Sequence, residues 1–221
     1  MAALLDCGPF SASDGEGRVL FDGVSLSLDA GQCVAIEGPS GGGKSTLLRH
    51  VAALAWSPDA RRRLDGQDYR GAELPAWRSQ VNLVAQDAPM ISGTVRDNMS
   101  FPFTQKAAGR GRRFDPVRAA SLMTQVGLEK LPFEREVRTL SGGERHRLAL
   151  VRGLLWDPAV LVADEPLSGL DPDIAEVCFD LLLRFGRRPG RLVVCVLHDA
   201  DMNVRADRRL RLAGGLLKGA A

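Results

Sequence analysis

Eight consecutive residues, Gly38-Pro39-Ser40-Gly41-Gly42-Gly43-Lys44-Ser45, constrain this chain more than any other stretch. They fit G-x-x-x-x-G-K-[ST], and the flanks give the pattern its weight. Cys33 to Ile36 is a short apolar run that reads as a strand, and Ser45 to Leu54 has helical composition ending near Ser57-Pro58. Strand, glycine-rich loop and helix in that order form a phosphate cradle. Glycines let successive backbone N–H groups converge on phosphate oxygens, and the helix N-terminus adds its positive dipole end. Lys44 can then reach the β- and γ-phosphates, Ser45 can ligate Mg²⁺, and Thr46 follows as the next nucleotide-facing helical residue. The expected ligand is a nucleoside triphosphate.

A second feature agrees with this. Val160-Leu161-Val162-Ala163-Asp164-Glu165 puts two carboxylates at the end of an apolar strand, where an α/β sheet delivers its functional groups. Asp164 can hold Mg²⁺ directly or through water. Glu165 points the other way along the chain and can take a proton from an attacking water. Third, Leu140-Ser141-Gly142-Gly143-Glu144 opens a helix, with Ser141 and Glu144 spaced as a capping box. A helix N-terminus with two glycines and a cap hydroxyl is another anion site, which one nucleotide does not need. Two phosphate-type sites in one chain suggest that the second serves a nucleotide held by another copy.

The remaining pattern predicts an α/β fold. The first 37 residues read as β, with Leu20, Val24, Leu26 and Leu28 on one face, and Val81 to Ala85 is a further strand ended by Gln86. Residues 87–115 are rich in Gly, Pro and Arg, with Gly109 to Arg113 as an exposed loop. Helical spacing returns over Pro116–Val126, over Glu144–Leu155, and in the stripe Ile174, Val177, Cys178, Leu181, Leu182 and Phe185. Ala159 to Ala163 and Leu192 to Leu197 lack polar alternation, which predicts parallel strands covered on both faces. No internal repeat of roughly 20 to 50 residues appears.

Composition narrows the class by exclusion. At 221 residues, with 45% hydrophobic residues and mean hydropathy of -0.07, the chain reads as one soluble domain. The apolar run Leu192 to Leu197 falls far short of the ~20 residues of a spanning helix, and no secretory signal is expected. A net charge of +2 gives no reason to propose nucleic acid. Cys7, Cys33, Cys178 and Cys195 lack metal-binding spacing and read as core or incidental residues of a reducing compartment.

Leu140 to Glu144 resembles the signature of ATP-binding cassette (ABC) ATPases, and the order of the other motifs agrees over essentially the whole chain. The resemblance implies a P-loop NTPase with a RecA-like core of mixed, largely parallel sheet, an antiparallel β subdomain and an inserted helical subdomain. It places the core with its β subdomain in residues 1–86 and 158–221, and the helical subdomain in 87–157. It also implies roles: Gln86 senses the γ-phosphate side through Mg²⁺ or the attacking water, and Ser168-Gly169-Leu170-Asp171 forms a D-loop. His198 is the switch histidine that contacts the γ-phosphate and positions Glu165. ATP would then lie between the Lys44 loop of one chain and Ser141, Gly142 and Gly143 of a second copy, with Asp171 crossing the interface. Family members stack adenine on an aromatic shortly before the first hairpin, and Phe10 is the candidate here, since the sole tyrosine, Tyr69, lies too late. His146 stands where glutamine is common, away from the expected chemistry.

A lone cassette of this kind looks like the separate ATPase subunit of a transporter, cytoplasmic and held at the membrane face by an integral permease. The stretch Gln86 to Phe103, with Phe101-Pro102 its more particular part, is similar to small cassette subunits associated with iron export, typified by FetA, and to plant aluminium-tolerance half-transporters. Two other classes compete. One is a cassette driving a non-transport membrane machine of the lipoprotein-release or cell-division type, and the other is a soluble cassette such as those of iron–sulfur assembly.

Overall fold

Three apolar runs without polar alternation lie side by side at the centre of the molecule. They are β3 (Gln32–Glu37), β8 (Leu192–Val196) and β7 (Val160–Asp164), paired in parallel in that order. The computed structural model describes residues 3–105, 111–197 and 199–220. β6 (Val81–Val84) extends the sheet beside β7, and β9 (Arg208–Ala213) flanks β3, both in parallel. β10 (Leu216–Gly219) folds back antiparallel on β9, so the six-stranded sheet is mixed.

The strands bury both faces because helices cover both. Val34, Ile36, Val160, Val162, Val194 and Val196 share a core with Leu47, Leu48 and Val51 of α1 (Lys44–Val51). Leu161, Ala163, Val193 and Cys195 face the other way, toward α5 (Gly142–Trp156) and α6 (Pro172–Gly186). Each fully buried Val, Leu or Phe is worth roughly 1.5–3 kcal/mol by transfer, so these two layers carry most of the stability. In α6 the buried stripe is Cys178, Leu181, Leu182 and Phe185, joined by Phe179 and Leu183; Val177 is 41% exposed, contrary to the sequence expectation.

A second, antiparallel sheet has the order β2-β1-β4-β5, from β1 (Leu5–Ser13), β2 (Val19–Leu28), β4 (Arg61–Leu64) and β5 (Gln67–Asp68). The expected inward face of β2 is wrong at its start. Phe21, Val24, Leu26 and Leu28 are buried, whereas Leu20 is half-buried. Gly23, at φ +67°, lies within a register shift in the β1–β2 pairing, so that two consecutive inward residues stand three apart. α1 also stops three residues earlier than its composition suggests, because Ala53 adopts φ +55° and closes the helix.

After β5 the short helix α2 (Leu74–Gln80) leads into β6, and between β6 and β7 the described residues form three α-helices, with a 3-10 turn at Val137–Thr139 before the last. α3 (Val95–Thr104) is capped by Thr94, which exchanges hydrogen bonds with Asp97; α4 (Pro116–Gln125) is capped by Asp115; α5 follows. Fully buried Asn98 fastens the loop after β6 to α3, donating to the carbonyls of Ile91 and Thr94 and accepting from the Ile91 N–H. Residues Gly111 to Arg113 form a loop as expected, while Gly109 and Arg110 lie outside the described residues. α7 (Ala200–Arg205) joins β8 to β9.

Candidate active site

The glycine-rich loop leaves β3 under tight constraint. Gly38 has φ +151°, and a Cβ there would lie 2.2 Å from the carbonyl oxygen of Leu212, so only glycine lets β9 pack so close. Gly43 takes the N-cap of α1 at φ +90°, against Leu20 and Phe21. No side chain caps α1 and no acid lies in its first turn, which leaves its positive end directed at the loop. Lys44 is buried, and its ammonium donates to the carbonyl oxygens of Gly38 at 2.8 Å and Pro39 at 3.0 Å. Ser40, Gly41 and Gly42 complete the turn, with Gly42 N–H donating to Pro39 at 3.1 Å, and Thr46 follows in the first turn of α1, half-buried.

Side chains from three elements meet beside this loop. Ser45 Oγ donates to Asp164 Oδ1 at 3.1 Å, joining the first turn of α1 to the end of β7. Burial pushes the Asp164 carboxyl above the usual carboxylate range, and the neighbouring Glu165 charge adds to this against the Ser45 hydroxyl and Lys44. At Glu165 the backbone turns into the left-handed region, φ +48°, while its N–H still bonds the Val196 carbonyl at 3.2 Å. Its carboxylate accepts from Gln86 Nε2 at 2.8 Å. The two adjacent acids thus face different partners, the left-handed turn at Glu165 separating them.

The Ser141 capping box is present. Glu144 N–H donates to Ser141 Oγ at 3.2 Å, and Ser141 N–H donates to the Glu144 carboxylate at 2.8 Å, which holds that carboxyl below its usual range. Ser141 and Gly142 are exposed and Gly143 half-buried, so the N-terminus of a 15-residue helix opens to solvent. Asp171 caps α6 by accepting from Asp173 N–H at 3.0 Å. His146, which the sequence left without a role, meets the Ser168 carbonyl through Nδ1 at 2.9 Å and ties α5 to the turn before α6. His198 lies outside the described residues.

Phe10 does not offer a stacking surface. Its side chain is fully buried, with ring centroids 5.5 Å from His50 and a guanidinium, Arg62, 5.7 Å from its ring. The reason is a register shift in the β1–β2 pairing between Cys7 and Phe10, after which Phe10 rather than Pro9 points inward, opposite Val24. The β1–β2 turn instead sends Arg18 over the phosphate loop, where Nη2 donates to the Gly41 carbonyl at 3.3 Å and Nε pairs with Asp14 at 3.2 Å. No sequence signal marked Arg18, one arginine among many.

Comparison with known proteins settles the family. A family model described as ABC transporter matches residues 21–168. The chain belongs to the ABC transporter family. It is an ABC ATPase with the P-loop NTPase fold. It is 38% identical to the lipoprotein-releasing system ATP-binding protein LolD of Ruegeria pomeroyi, over 94% of this chain and 91% of that one. It is 33% identical to the probable iron export ATP-binding protein FetA of Escherichia coli, over 90% and 86%. Among solved structures, a dimeric ATP-binding cassette in a post-hydrolysis state with ADP and phosphate superimposes with a TM-score of 0.80 at 26% identity, over 97% of this chain and 98% of that one. The ABC cassette has no helix, among the described residues, long and apolar enough to cross a membrane.

Proposed function

We propose that this ABC ATPase works as one of two copies that close head to tail around two ATP molecules and drive an integral membrane permease from the cytoplasmic face, with metal export, iron being the example, as its cargo class. The observation that carries the ATPase part is the convergence of Ser45–Asp164 and Gln86–Glu165 beside one phosphate loop.

The residues divide the chemistry. The loop from Gly38 to Ser45 cradles the phosphates through its backbone, and Lys44 exchanges its two carbonyl partners for phosphate oxygens. The hydroxyl of Ser45 and the carboxylate of Asp164, 3.1 Å apart, suit a hard divalent cation whose remaining ligands are phosphate and water oxygens, so Mg²⁺ fits here. When bound, it neutralises charge on the β- and γ-phosphates. Glu165 accepts a proton from the attacking water, and Gln86, hydrogen-bonded to the same carboxylate, orients both. His198 would stand at the γ-phosphate. Ser141, Gly142 and Gly143 present their open helix end to the second copy's nucleotide, with Asp171 at the seam.

A groove of about 340 Å³ next to Gln86, walled by Pro89, Met90, Ile91, Phe101 and Pro102, supports a permease contact at the point where the γ-phosphate side is sensed. Arg152, half-buried in its wall, donates to the Pro89 carbonyl at 2.8 Å and so links the groove to α5. Likeness to FetA and the Phe101-Pro102 pair support metal export. A second reading, a cassette that drives lipoprotein release, is supported by the likeness to LolD. Co-purification of the native complex identifies the membrane subunit, and metal efflux from vesicles containing both subunits tests the cargo. ATP-dependent efflux supports the first reading, and its absence with ATP-dependent lipoprotein extraction supports the second.

A further inference from the structure

At the opposite end of α1 from the phosphate loop lies a second pocket, of about 760 Å³, within the size range of ligand sites. Four arginines line it, Arg61, Arg62, Arg70 and Arg78, against a single acid, Asp59. Arg61 is engaged by Asp6 and Asp68, each at 3.7 Å. The other three have no carboxylate at ion-pair distance among the described residues.

Arg62 is the anomaly. It stands on β4 opposite Cys7 and is 4% exposed. Its Nη1 reaches the carbonyls of Ser57 and Ala60, at 3.3 Å each, while Nε is buried without a hydrogen-bond partner. A buried cation without a counter-charge is costly, and such positions normally carry an apolar side chain. Burial lowers the guanidinium pKa, Cys7 opposes this, and nearby Arg78 lowers it further. An anion entering the pocket would remove both penalties.

The rim adds a second chemistry. Trp56 is 86% exposed and Leu54 55% exposed, whereas Trp77 and Trp156 are buried with their indole N–H groups bonded to the carbonyls of Val51 and Ser79. An outward indole and leucine beside guanidinium groups match the interface between lipid head groups and acyl chains, where tryptophan settles and arginine binds phosphate. A free phosphate would make no use of them.

We propose that this pocket binds the phosphate of an anionic phospholipid, with Arg62, Arg70 and Arg78 closing on the phosphodiester while Trp56 and Leu54 enter the head-group region beside it. The site is separate from the nucleotide residues and stands or falls independently of the ATPase reading.

The test uses the whole protein with vesicles of phosphatidylcholine, alone or mixed with phosphatidylglycerol, read by co-sedimentation and by Trp56 emission, assigned by its loss in Trp56→Phe. The expected result is a blue shift and at least ~10-fold stronger partition with phosphatidylglycerol, lowered roughly fivefold by Arg62→Leu and by Arg70→Gln. Arg184→Leu, which removes an equal charge from the exposed side of α6, should leave partition unchanged. Arg70 is exposed, so its variant carries the test if Arg62→Leu fails to fold. No preference for phosphatidylglycerol, an equal loss in Arg184→Leu, the same Trp56 shift with inorganic phosphate alone, or equal competition by a polyglutamate peptide would each overturn the proposal. ATPase in solution should match the unaltered protein in every one of these variants that folds, which separates failure of this site from failure of the nucleotide site.

Discussion

Gln86 and Glu165, 79 residues apart in sequence, meet side chain to side chain at 2.8 Å. The contact joins the end of β6 to the end of β7, so the loop leading to the Phe101 groove and the proposed base share one hydrogen bond. Glu165→Gln keeps the shape and removes the proton acceptor. ATPase activity should fall by at least ~100-fold while ATP binding persists, and a stable ATP-dependent dimer should appear on size-exclusion chromatography. Turnover near that of the unaltered protein would end the assignment of Glu165 as base.

Asp164 should limit stability at neutral pH. Its folded-state pKa is raised by burial, so the folded protein binds the proton more tightly than the unfolded chain. Between the unfolded and folded pKa values stability therefore falls as pH rises, and above the folded value the full penalty remains. Asp164→Asn should raise the melting temperature of the nucleotide-free protein at pH 7, with the gain vanishing below the ordinary carboxylate pKa. Mg²⁺-dependent hydrolysis should be lost. Calorimetry over pH checks the first expectation and a phosphate-release assay the second.

Gly38→Ala should damage the fold before the chemistry. A methyl group 2.2 Å from the Leu212 carbonyl forces β3 and β9 apart at the edge of the loop. A loss of about 1–3 kcal/mol in denaturant unfolding is expected, together with weaker nucleotide binding.

Phe10 and Arg18 should behave oppositely. Phe10→Leu removes part of a fully buried ring, so it should lower stability and leave ATP affinity of the folded protein unchanged. Arg18→Ala removes an exposed side chain that reaches Gly41, so it should leave stability within about 0.5 kcal/mol and weaken nucleotide binding. Fluorescent-nucleotide titration beside thermal melts distinguishes the two, and an affinity loss confined to Phe10→Leu would restore Phe10 as the adenine-stacking ring.

The fold class was legible because the middles of β3, β7 and β8 are apolar runs without polar alternation, the pattern of a parallel sheet covered on both faces. The phosphate loop, the capping box and the acid pair were legible because each is a local pattern with a local cause. What stayed hidden depends on packing. Leu20 and Phe21 exchange places because a register shift breaks the strict alternation of the strand. Arg61-Arg62-Arg63 looks like a solvated edge, yet strand geometry turns its middle member inward. The hairpin of β9 and β10 carries weak alternation and no motif, and His146 gains its partner only when α5 and the Ser168 turn are brought together.

Glu165 adopts a left-handed backbone that costs a non-glycine residue about 1–2 kcal/mol. Glycine would fold there with less strain, and it would also delete the carboxylate that Gln86 holds. Selection for a sturdier protein and selection for turnover therefore pull in opposite directions at one codon. A screen for thermostable variants that ignores activity should recover glycine at position 165, and its survivors would be well-folded cassettes unable to use what they bind.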